Sequence, residues 1–472
     1  MSGFSVLYCY AMTKTRVVSF KDPRDLIVSG NVWKSVWFLA WPTAVTTFVQ
    51  TAYNVVNRMF IGRIGSEAES ALAAVGIGGA VLMMQFAVIL GLSVGTSALA
   101  SRFIGAQKYG DADEAVRQSI LLCVVGGILT SLPLIIWASP IVAAVGAKCQ
   151  VVTLAAEYTV IISYSSIAMF LIMVITSALR SAGDVRRPLY ASAVILAINA
   201  ILDYLLIFGV WVFPEMGVKG AAIATNISRV CGVILLFYFL KKSSLCGSMS
   251  HFRIHLGWFA RVLNIGWPAM FQHLLWTTAY AGFIKVLSYL PDAVAAQAAV
   301  TIAITIESFA FMPGVAYSQA VTPLVGQNLG AGNPGRAANS AWIASGQAAA
   351  IMSAVAVLFL AVPEQLALAF TREPAVVPLV VSYLRVNAFG EPFLALAMVL
   401  RGALQGAGET RFPAWTTFIT NWLIRLPLTW LLAITLDCNA FGAWIAMCAT
   451  TVLGGIIIAW WFQKGVWKNI EV

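Results

Sequence analysis

Long apolar stretches recur along this 472-residue chain, and they restrict the folds open to it more than any other feature. An α-helix needs about 20 apolar residues to cross the hydrocarbon core of a bilayer. Stretches of that length with few or no charges recur between Trp33 and Phe462. Only 10% of the residues are charged, whereas a soluble domain carries roughly 25%. We therefore predict an integral membrane protein.

The stretches predict an all-α membrane protein with twelve transmembrane helices. Strands of a transmembrane β-barrel would be about ten residues long and alternate in polarity, and runs such as Val81–Leu92 do not alternate. The predicted spans are residues 33–60, 71–100, 118–139, 155–180, 188–210, 219–241, 258–290, 294–325, 338–361, 379–404, 412–435 and 441–463.

The basic residues are distributed unevenly among the predicted loops. Twenty of the 29 Lys and Arg residues lie in the N-terminal segment and in alternate loops, seven lie in the opposite loops and adjoining helix ends, and two fall inside spans. Because cytoplasmic loops carry the excess of Lys and Arg, we predict that both termini are cytoplasmic. The charges are spread over loops rather than gathered on one face, so the net charge of +10 does not indicate a nucleic-acid partner.

An internal repeat organises the chain. Trp41-Pro42 returns 226 positions later as Trp267-Pro268. Other matches recur 225 positions apart: Ala182-Gly183-Asp184 with Ala407-Gly408-Glu409, Arg186 with Arg411, Pro188 with Pro413, Gly105-Ala106 with Gly330-Ala331, and Tyr158 with Tyr383. Chance matches would not keep one offset, so we infer a duplicated unit.

The repeat predicts two six-helix bundles. Because each bundle has an even number of crossings, both enter the membrane from the same side, and a pseudo-two-fold axis along the membrane normal relates them. The predicted domains are a cytoplasmic N-terminal segment (1–32), an N-lobe (33–241), a cytoplasmic linker (242–257), a C-lobe (258–463) and a cytoplasmic tail (464–472). Duplicated bundles of this kind place a substrate between the lobes and expose it alternately to each side.

A carboxylate in the fifth span is the sharpest candidate functional residue, since a charge at the bilayer centre costs about 2.5–3.5 kcal/mol or more. Asn199 and Asp203 are four residues apart and therefore share one helix face. Desolvation disfavours a charged carboxylate, so Asp203 could exchange a proton. Its oxygens could instead hold a dehydrated Na⁺, or Asp203 could serve only to hydrogen-bond helices together.

The first span carries a polar stripe of Gln50, Asn54 and Asn57, spaced i, i+4 and i+7. Asn57 follows Pro42 by fifteen residues, and Asp203 follows the proline at the start of its own helix by the same number. At 1.5 Å per residue, both lie about 22 Å from a helix start. Equal depth permits contact, so we predict that Gln50 and Asn57 join the Asp203 cluster.

The second half offers Glu307, Glu391 and Gln272 as a secondary set of candidate site residues. Arg229 and Arg425 also fall inside spans, so one of them could neutralise Glu307 or Glu391. Static pairing and a role in ion coupling both stay open.

The seven cysteines show no paired spacing, so we expect neither disulfides nor zinc. We predict no metal site other than a possible Na⁺ at Asp203.

Four segments resemble motifs of the multidrug and toxic compound extrusion (MATE) family, and the resemblance covers nearly the whole chain. They are QTAYNVVNRMFIG (50–62), RSAGDVRRP (180–188), VGQNLGAGN (325–333) and RGALQGAGETR (401–411). The resemblance looks closest to the DinF branch, whose N-lobe polar cluster corresponds here to Gln50, Tyr158, Asn199 and Asp203.

The resemblance implies a transporter in the bacterial inner membrane that exports small organic, often cationic, compounds in exchange for H⁺ or Na⁺ by alternating access. It implies no cofactor, no enzymatic activity, membrane lipids as partners and a monomer. One position departs from the pattern: Asn57 stands where those relatives typically have Asp, so a two-carboxylate proton mechanism is not implied. Three alternatives stay open: Asp203 acts alone, Glu307 or Glu391 carries the coupling, or the protein moves something other than a typical drug.

An alternative function is a flippase or exporter of a lipid-linked or amphipathic metabolite. A flippase of this kind would need a lateral groove between helices that is lined with basic residues, whereas most basic residues of this chain fall in loops. An enzyme is disfavoured because no nucleophile, acid–base pair or metal cluster recurs at membrane depth.

Overall fold

The computed structural model of the chain describes residues 23–61, 68–146, 150–249 and 253–470. Within these ranges the secondary structure is helical and includes no β-strand, which confirms the predicted all-α class. The α-helices in chain order are α1 (Pro23–Val28), α2 (Val32–Ile61), α3 (Ala68–Gly105), α4 (Tyr109–Ile136), α5 (Ala138–Val145), α6 (Gln150–Ser163), α7 (Ser166–Ser181), α8 (Arg186–Phe208), α9 (Gly217–Lys241), α10 (Leu256–Leu287), α11 (Ala293–Gly330), α12 (Pro334–Ala361), α13 (Pro363–Leu368), α14 (Val377–Ala388), α15 (Glu391–Gly406), α16 (Arg411–Thr417), α17 (Leu426–Trp430) and α18 (Asn439–Lys464).

The helices account for the predicted membrane crossings. Eight helical segments of the described ranges are long and apolar enough to cross a bilayer, and two bent helix pairs bring the number to ten. The two remaining predicted positions are occupied by α2, with 30 residues, and α10, with 32 residues. Each predicted span thus corresponds to one helix or one bent pair, except that the span Arg411–Thr435 combines α16 and α17 with two π-helical segments.

The surface of these helices suits a lipid environment. Leu129 is 65% exposed, Ile136 63% and Ile234 65%. Soluble monomers rarely expose extensive apolar patches, so such side chains are expected to face lipid.

Two predicted spans are broken rather than continuous. The prediction of single helices over 155–180 and 379–404 was wrong, because α6 and α7 meet at an angle of 51° and α14 and α15 at 59°. Tyr164 and Ser165 form the first break. Phe389 and Gly390 form the second, at the equivalent place in the repeat. The first break carries no glycine or proline, whereas Gly390 lies in the second and Pro392 follows it, so a local signal was present only at the second break.

The internal repeat is visible in the helix boundaries. Both ends of α11 lie 225 residues after those of α3, and the same offset relates α12 to α4 and α15 to α7. At the start of α8, Asp184 Oδ1 accepts a hydrogen bond from the backbone N–H of Arg187 at 3.1 Å. At the equivalent place, Glu409 Oε1 accepts one from Phe412 at 3.0 Å. The repeated motifs are therefore helix-start motifs, as side-chain oxygens at helix N-termini satisfy unpaired N–H groups.

Small residues set the packing of α15 on α11. A Cβ atom at Gly402 would collide with the backbone carbonyl of Ser318, and one at Gly406 with that of Thr322. The two glycines are four residues apart on one helix face. Thr322 also donates from Oγ1 to the Gly402 carbonyl at 2.9 Å. Small residues of this spacing let helix backbones approach closely inside a membrane.

Contacts divide the chain into two compact units. Unit 1 contains the described residues up to Ile27 together with Val45–Trp267, and unit 2 contains Val28–Ala44 and the described residues from Pro268 onwards. The beginning of α2 thus belongs to unit 2, and the beginning of α10 belongs to unit 1. The domain boundaries predicted from the sequence stay a prediction.

The segment after α9 is attached to the start of α4 within unit 1. Gln118, which is fully buried, donates from Nε2 to the Arg253 carbonyl at 2.5 Å and accepts at Oε1 from the backbone N–H of His255 at 3.2 Å. Arg117 donates to the Gly247 carbonyl at 2.7 Å. These bonds hold much of the predicted linker against one helix.

The expectation of no disulfide was wrong, because Cys246 is disulfide-bonded. The thiols of Cys123, Cys231, Cys438 and Cys448 are free. Spacing along the chain does not report which cysteines the fold brings together.

Candidate functional site

The Asp203 carboxyl group lies fully buried in unit 1, near the C-terminal end of the apolar helix α8. The relative exposure of Asp203 is 0% and that of Asn199 is 1%. Asp203 Oδ1 has no hydrogen-bond partner in the part of the chain that the structure describes. None of the ion pairs among the described residues includes Asp203. A buried carboxyl oxygen without a partner is costly, so this position can accept a proton or a cation.

Asn199 orients the carboxyl group. With its amide nitrogen turned toward Asp203, Nδ2 donates to Asp203 Oδ2 at 2.7 Å and Oδ1 accepts from the backbone N–H of Thr225 at 3.2 Å. The opposite amide orientation makes only a 3.4 Å contact with Thr225 Oγ1. The i, i+4 spacing on α8 predicted from the sequence therefore does bring the amide and the carboxyl group together.

Tyr158 belongs to an apolar cluster one helical turn beyond the carboxyl group. It is 7% exposed and packs with Ile207, which lies four residues after Asp203 on α8. Gly78 leaves room for the ring, since a Cβ there would lie 2.7 Å from Tyr158 Cδ1. The remaining members of the cluster are Ile162, Val218, Ala221 and Ala222, with Phe60, Val75, Leu82, Ile161 and Phe208 against it.

Two predicted members of the cluster cannot be placed beside Asp203. The side chain of Gln50 is exposed on α2. Asn57 lies on the same helix, but its side chain falls outside the described residues. Their contact with Asp203 stays a prediction.

A second polar cluster lies in unit 2 and joins three helices. The Tyr383 hydroxyl on α14 donates to Glu307 Oε2 on α11 at 2.6 Å. Tyr383 is fully buried and lies 3.7 Å from the sulfur of Met447 on α18. Tyr383 thus fixes one oxygen of the Glu307 carboxyl group.

Glu391 is the first residue of α15, directly after the 59° bend. It is 1% exposed, and neither of its carboxyl oxygens has a hydrogen-bond partner in the described ranges. The carboxyl groups of Glu391 and Glu307 interact electrostatically. Together, the buried carboxyl group of Glu391 and the partly buried one of Glu307 provide oxygen ligands of the kind that Na⁺ prefers, or they can share protons.

Arg425 lies near this cluster but is not paired with it. Its guanidinium donates to Thr450 Oγ1 at 2.8 Å and to Thr451 Oγ1 at 3.1 Å. It acts on Glu307 through a Coulomb interaction, yet no ion pair within 4.0 Å includes Glu307 or Glu391 among the described residues. Arg425 ends a π-helical segment, Phe418–Arg425, and π-helical turns are frequent at functional sites.

The remaining candidates lie elsewhere. Gln272 donates from Nε2 to Thr417 Oγ1 at 3.2 Å in unit 2. Arg229 belongs to unit 1, where it donates to Ser165 Oγ at 2.9 Å. Neither contact involves a carboxyl group.

Sequence reasoning missed Tyr383 as a site residue, although its match with Tyr158 is part of the repeat. The available signal was the repeat itself, which places Tyr383 at the position equivalent to the candidate Tyr158. Within the described ranges, no group of three His, Cys, Asp or Glu side chains is arranged to hold a metal ion.

The MatE family model matches the chain twice, at residues 42–205 and 268–431. The two matches together cover more than half of the chain, and one falls on each sequence repeat.

Among the similar curated proteins is a "Probable multidrug resistance protein NorM" of Thermotoga maritima. It is 28% identical over 456 residues, which are 94% of this chain and 94% of the relative. An "Uncharacterized transporter YisQ" of Bacillus subtilis is 24% identical over 442 residues, covering 92% of this chain and 96% of the relative.

Solved structures share the fold at low sequence identity. One, described as an outward-facing conformation of a multidrug resistance MATE family transporter, has a TM-score of 0.88 and 23% identity, covering 96% of this chain and 100% of that one. A MOP superfamily transporter from Pyrococcus furiosus, described as having a reverse polarity of the binding pocket that suggests a different function, has a TM-score of 0.87 at 23% identity and the same coverage. On the two matches to its family model and this shared fold, the chain belongs to the MatE family, the multidrug and toxic compound extrusion family that its motifs resemble.

Proposed function

We propose that the protein is a secondary active antiporter that exports small organic, often cationic, compounds in exchange for H⁺ or Na⁺. Entry of the coupling ion favours one of two conformations and lowers the affinity for substrate. Coupling of this kind is a difference in affinity between two states.

The observation that carries the proposal is the Asp203 carboxyl group, which is fully buried and in no ion pair among the described residues. Its placement in an apolar helix is expensive, and one of its oxygens has no partner in the described ranges. A purely structural hydrogen bond would be made more cheaply by a neutral side chain. An ion that visits the site explains why an acid is present.

The relatives support the choice of substrate class. Several curated proteins of similar length carry the name of a probable multidrug resistance protein. The aromatic and apolar surroundings of the N-lobe cluster fit organic compounds better than small hydrophilic ones. We assign Asp203, Asn199, Tyr158, Gln50 and Asn57 to this candidate site, with a possible Na⁺ at Asp203.

The unit 2 cluster is a second candidate for ion coupling. Glu391 is buried, Glu307 is partly buried, and Tyr383 fixes one oxygen of Glu307, while both oxygens of Glu391 lack a partner in the described ranges. Such a pair binds one proton or one Na⁺ more readily than it stays doubly charged. We therefore assign a coupling role to Glu307 and Glu391 as well, with Tyr383 as a positioning residue.

For the rest, we propose that the transporter works as a monomer without a cofactor in the bacterial inner membrane, with both termini in the cytoplasm. The excess of basic residues in alternate loops supports this orientation.

The test is a flux assay with two separate gradients. The full-length protein is incorporated into vesicles, and efflux of a cationic dye is driven by an inward Na⁺ gradient or, separately, by an inward proton gradient. We expect one gradient to drive dye flux in the wild type. The Asp203→Asn variant, which keeps the shape of the side chain, should lose most of that flux, while Asp111→Asn at the start of α4 should keep it.

Two results would contradict the proposal. Equal flux in the wild type and Asp203→Asn would remove Asp203 from the mechanism. Dye flux absent under both gradients, together with translocation of a fluorescent lipid-linked probe, would favour the flippase alternative.

A further inference from the structure

A pocket of about 690 Å³ lies in unit 2, apart from the Glu307 cluster. The first turns of α2 form one wall, and α11 and α12 form the others. Its volume falls in the range of about 300–1,000 Å³ that is usual for small-molecule sites. The lining residues that matter here are Trp33, Lys34, Trp37, Tyr317, Gln347 and Ile351.

Two residues that line this pocket each carry a buried polar atom without a hydrogen-bond partner in the described ranges. These atoms are the hydroxyl oxygen of Tyr317, a residue that is 3% exposed, and Oε1 of Gln347. A hydroxyl can donate and an amide oxygen can accept. Leaving such groups unpaired costs about 1–3 kcal/mol each, so a ligand that supplies an acceptor and a donor would stabilise both.

The mouth of the pocket combines a cation with aromatic rings. Lys34 is exposed and takes part in no ion pair among the described residues. Trp33 is 60% exposed and Trp37 51%, and tryptophan is enriched at membrane–water interfaces. Trp37 lies one helical turn further into α2 than Trp33. The pocket is therefore charged toward the helix start and apolar beyond it.

We propose that this pocket binds one anionic glycerophospholipid from the adjacent leaflet. Lys34 binds the phosphate, and the rings of Trp33 and Trp37 cover the upper acyl chain, whose remainder lies against Ile351. An ester carbonyl oxygen accepts from the Tyr317 hydroxyl. A headgroup hydroxyl, as in phosphatidylglycerol, donates to Gln347 Oε1. The charge of Lys34 selects an anionic headgroup, and the apolar wall selects a lipid over a free anion.

The proposal is tested with the delipidated full-length protein in a neutral detergent. Phosphatidylglycerol, phosphatidylcholine or inorganic phosphate is added, and native mass spectrometry counts bound lipids while thermal unfolding is followed. We expect one phosphatidylglycerol to be retained and to raise the melting temperature more than phosphatidylcholine does, with no effect of phosphate. Equal binding of the two lipids would overturn the proposal.

Single substitutions test whether Lys34 and Tyr317 each contribute to lipid binding. Lys34→Gln should weaken phosphatidylglycerol binding about fivefold, and Tyr317→Phe about threefold. The matched controls Lys241→Gln and Tyr190→Phe remove the same groups from exposed positions of unit 1 and should change nothing. Equal losses in variant and control would overturn the proposal.

Filling the pocket gives an independent test. A side chain at Gly346, which lines the pocket, meets nothing within 4 Å. Gly346→Leu should therefore fold and lose the retained lipid. Gly335→Leu, on the same helix and equally open, should keep it. Retention of the lipid by Gly346→Leu, or its displacement by a transported dye, would overturn the proposal.

Discussion

The Tyr383 hydroxyl lies 2.6 Å from Oε2 of Glu307, and this bond makes the two halves of the chain chemically different. Tyr158 occupies the same repeat position in unit 1, but Leu82 stands where Glu307 stands in unit 2. Leu82 packs against the apolar cluster that contains Tyr158. Duplication thus preserved a scaffold tyrosine, while buried acids arose at different places in each half.

Replacing Tyr383 with Phe should expose the importance of that bond. The change removes one donor and leaves Glu307 Oε2 without it, which should lower the free energy of unfolding by about 1–3 kcal/mol. Ion-driven dye flux should fall at the same time. Tyr289→Phe, at an exposed position of unit 2, is the control for thermal unfolding and for flux. Unchanged flux in Tyr383→Phe would exclude a positioning role.

The Glu391→Gln variant tests the unit 2 ion site. The neutral side chain relieves repulsion with Glu307. In buffer without Na⁺ the melting temperature should therefore stay level or rise, and any gain in the free energy of unfolding should be about 1 kcal/mol. Any rise in melting temperature that Na⁺ gives the wild type should disappear. Glu364→Gln, an exposed acid of the same unit, should keep that rise. A variant that still responds to Na⁺ as the wild type does would assign the ion to another site.

The Asn199→Ala variant tests the partner of Asp203. It removes the amide that donates to Asp203 Oδ2, and a hydrogen bond to a charged group contributes about 1.5–3 kcal/mol. We expect reduced ion-driven flux and a shifted concentration of coupling ion at half-maximal rate. Asn339→Ala, an exposed position of unit 2, should leave both unchanged. If Asn199→Ala behaves like this control, Asp203 does not depend on its neighbour.

The glycine at position 402 should tolerate no side chain. A Cβ there meets the Ser318 carbonyl of α11, and forcing extra atoms into a packed interface costs about 1–3 kcal/mol. We expect Gly402→Ala to lower the melting temperature in detergent. Gly335→Ala, where the added atom meets open space, should not. Equal melting temperatures would show that the helices can separate without cost.

The side chain of Gln118 should protect the segment after α9 from cleavage by trypsin. The Gln118→Ala variant loses the bonds to Arg253 and His255, so trypsin should cut at Arg253 faster than in the wild type. Gln365→Ala, at an exposed position, provides the control. Identical cleavage rates would mean that other contacts hold this segment.

Much of the fold could be predicted from the sequence because lipid imposes a simple length rule on each crossing. The repeated motif at Asp184 was visible as a repeat, and the structure adds that it begins a helix. The bend after Ala388 was missed, although Gly390 and Pro392 both disfavour a continuous helix there. Residues of these two types are among the usual causes of a sharp bend.

The candidate site was predictable only where its residues share a helix. The Asn199–Asp203 contact follows from an i, i+4 spacing, which is local. The bond between Tyr383 and Glu307 joins residues 76 positions apart, and no periodicity reports such a distance. Arg425 is a mixed case: the sequence offered it as a partner for an acid, and the structure places it on two threonine hydroxyls while it acts on Glu307 through a Coulomb interaction.

The exchange of helix beginnings between the units bears on how this protein can be divided. A cut in the segment between α9 and α10 would leave Val28–Ala44 on one fragment and the rest of unit 2 on the other. The first fragment would likewise lack the turns of α10 before Pro268 that complete unit 1. We therefore expect each half of the chain, made alone, to fold less stably than in the intact protein, because each lacks a helix segment that packs within its unit.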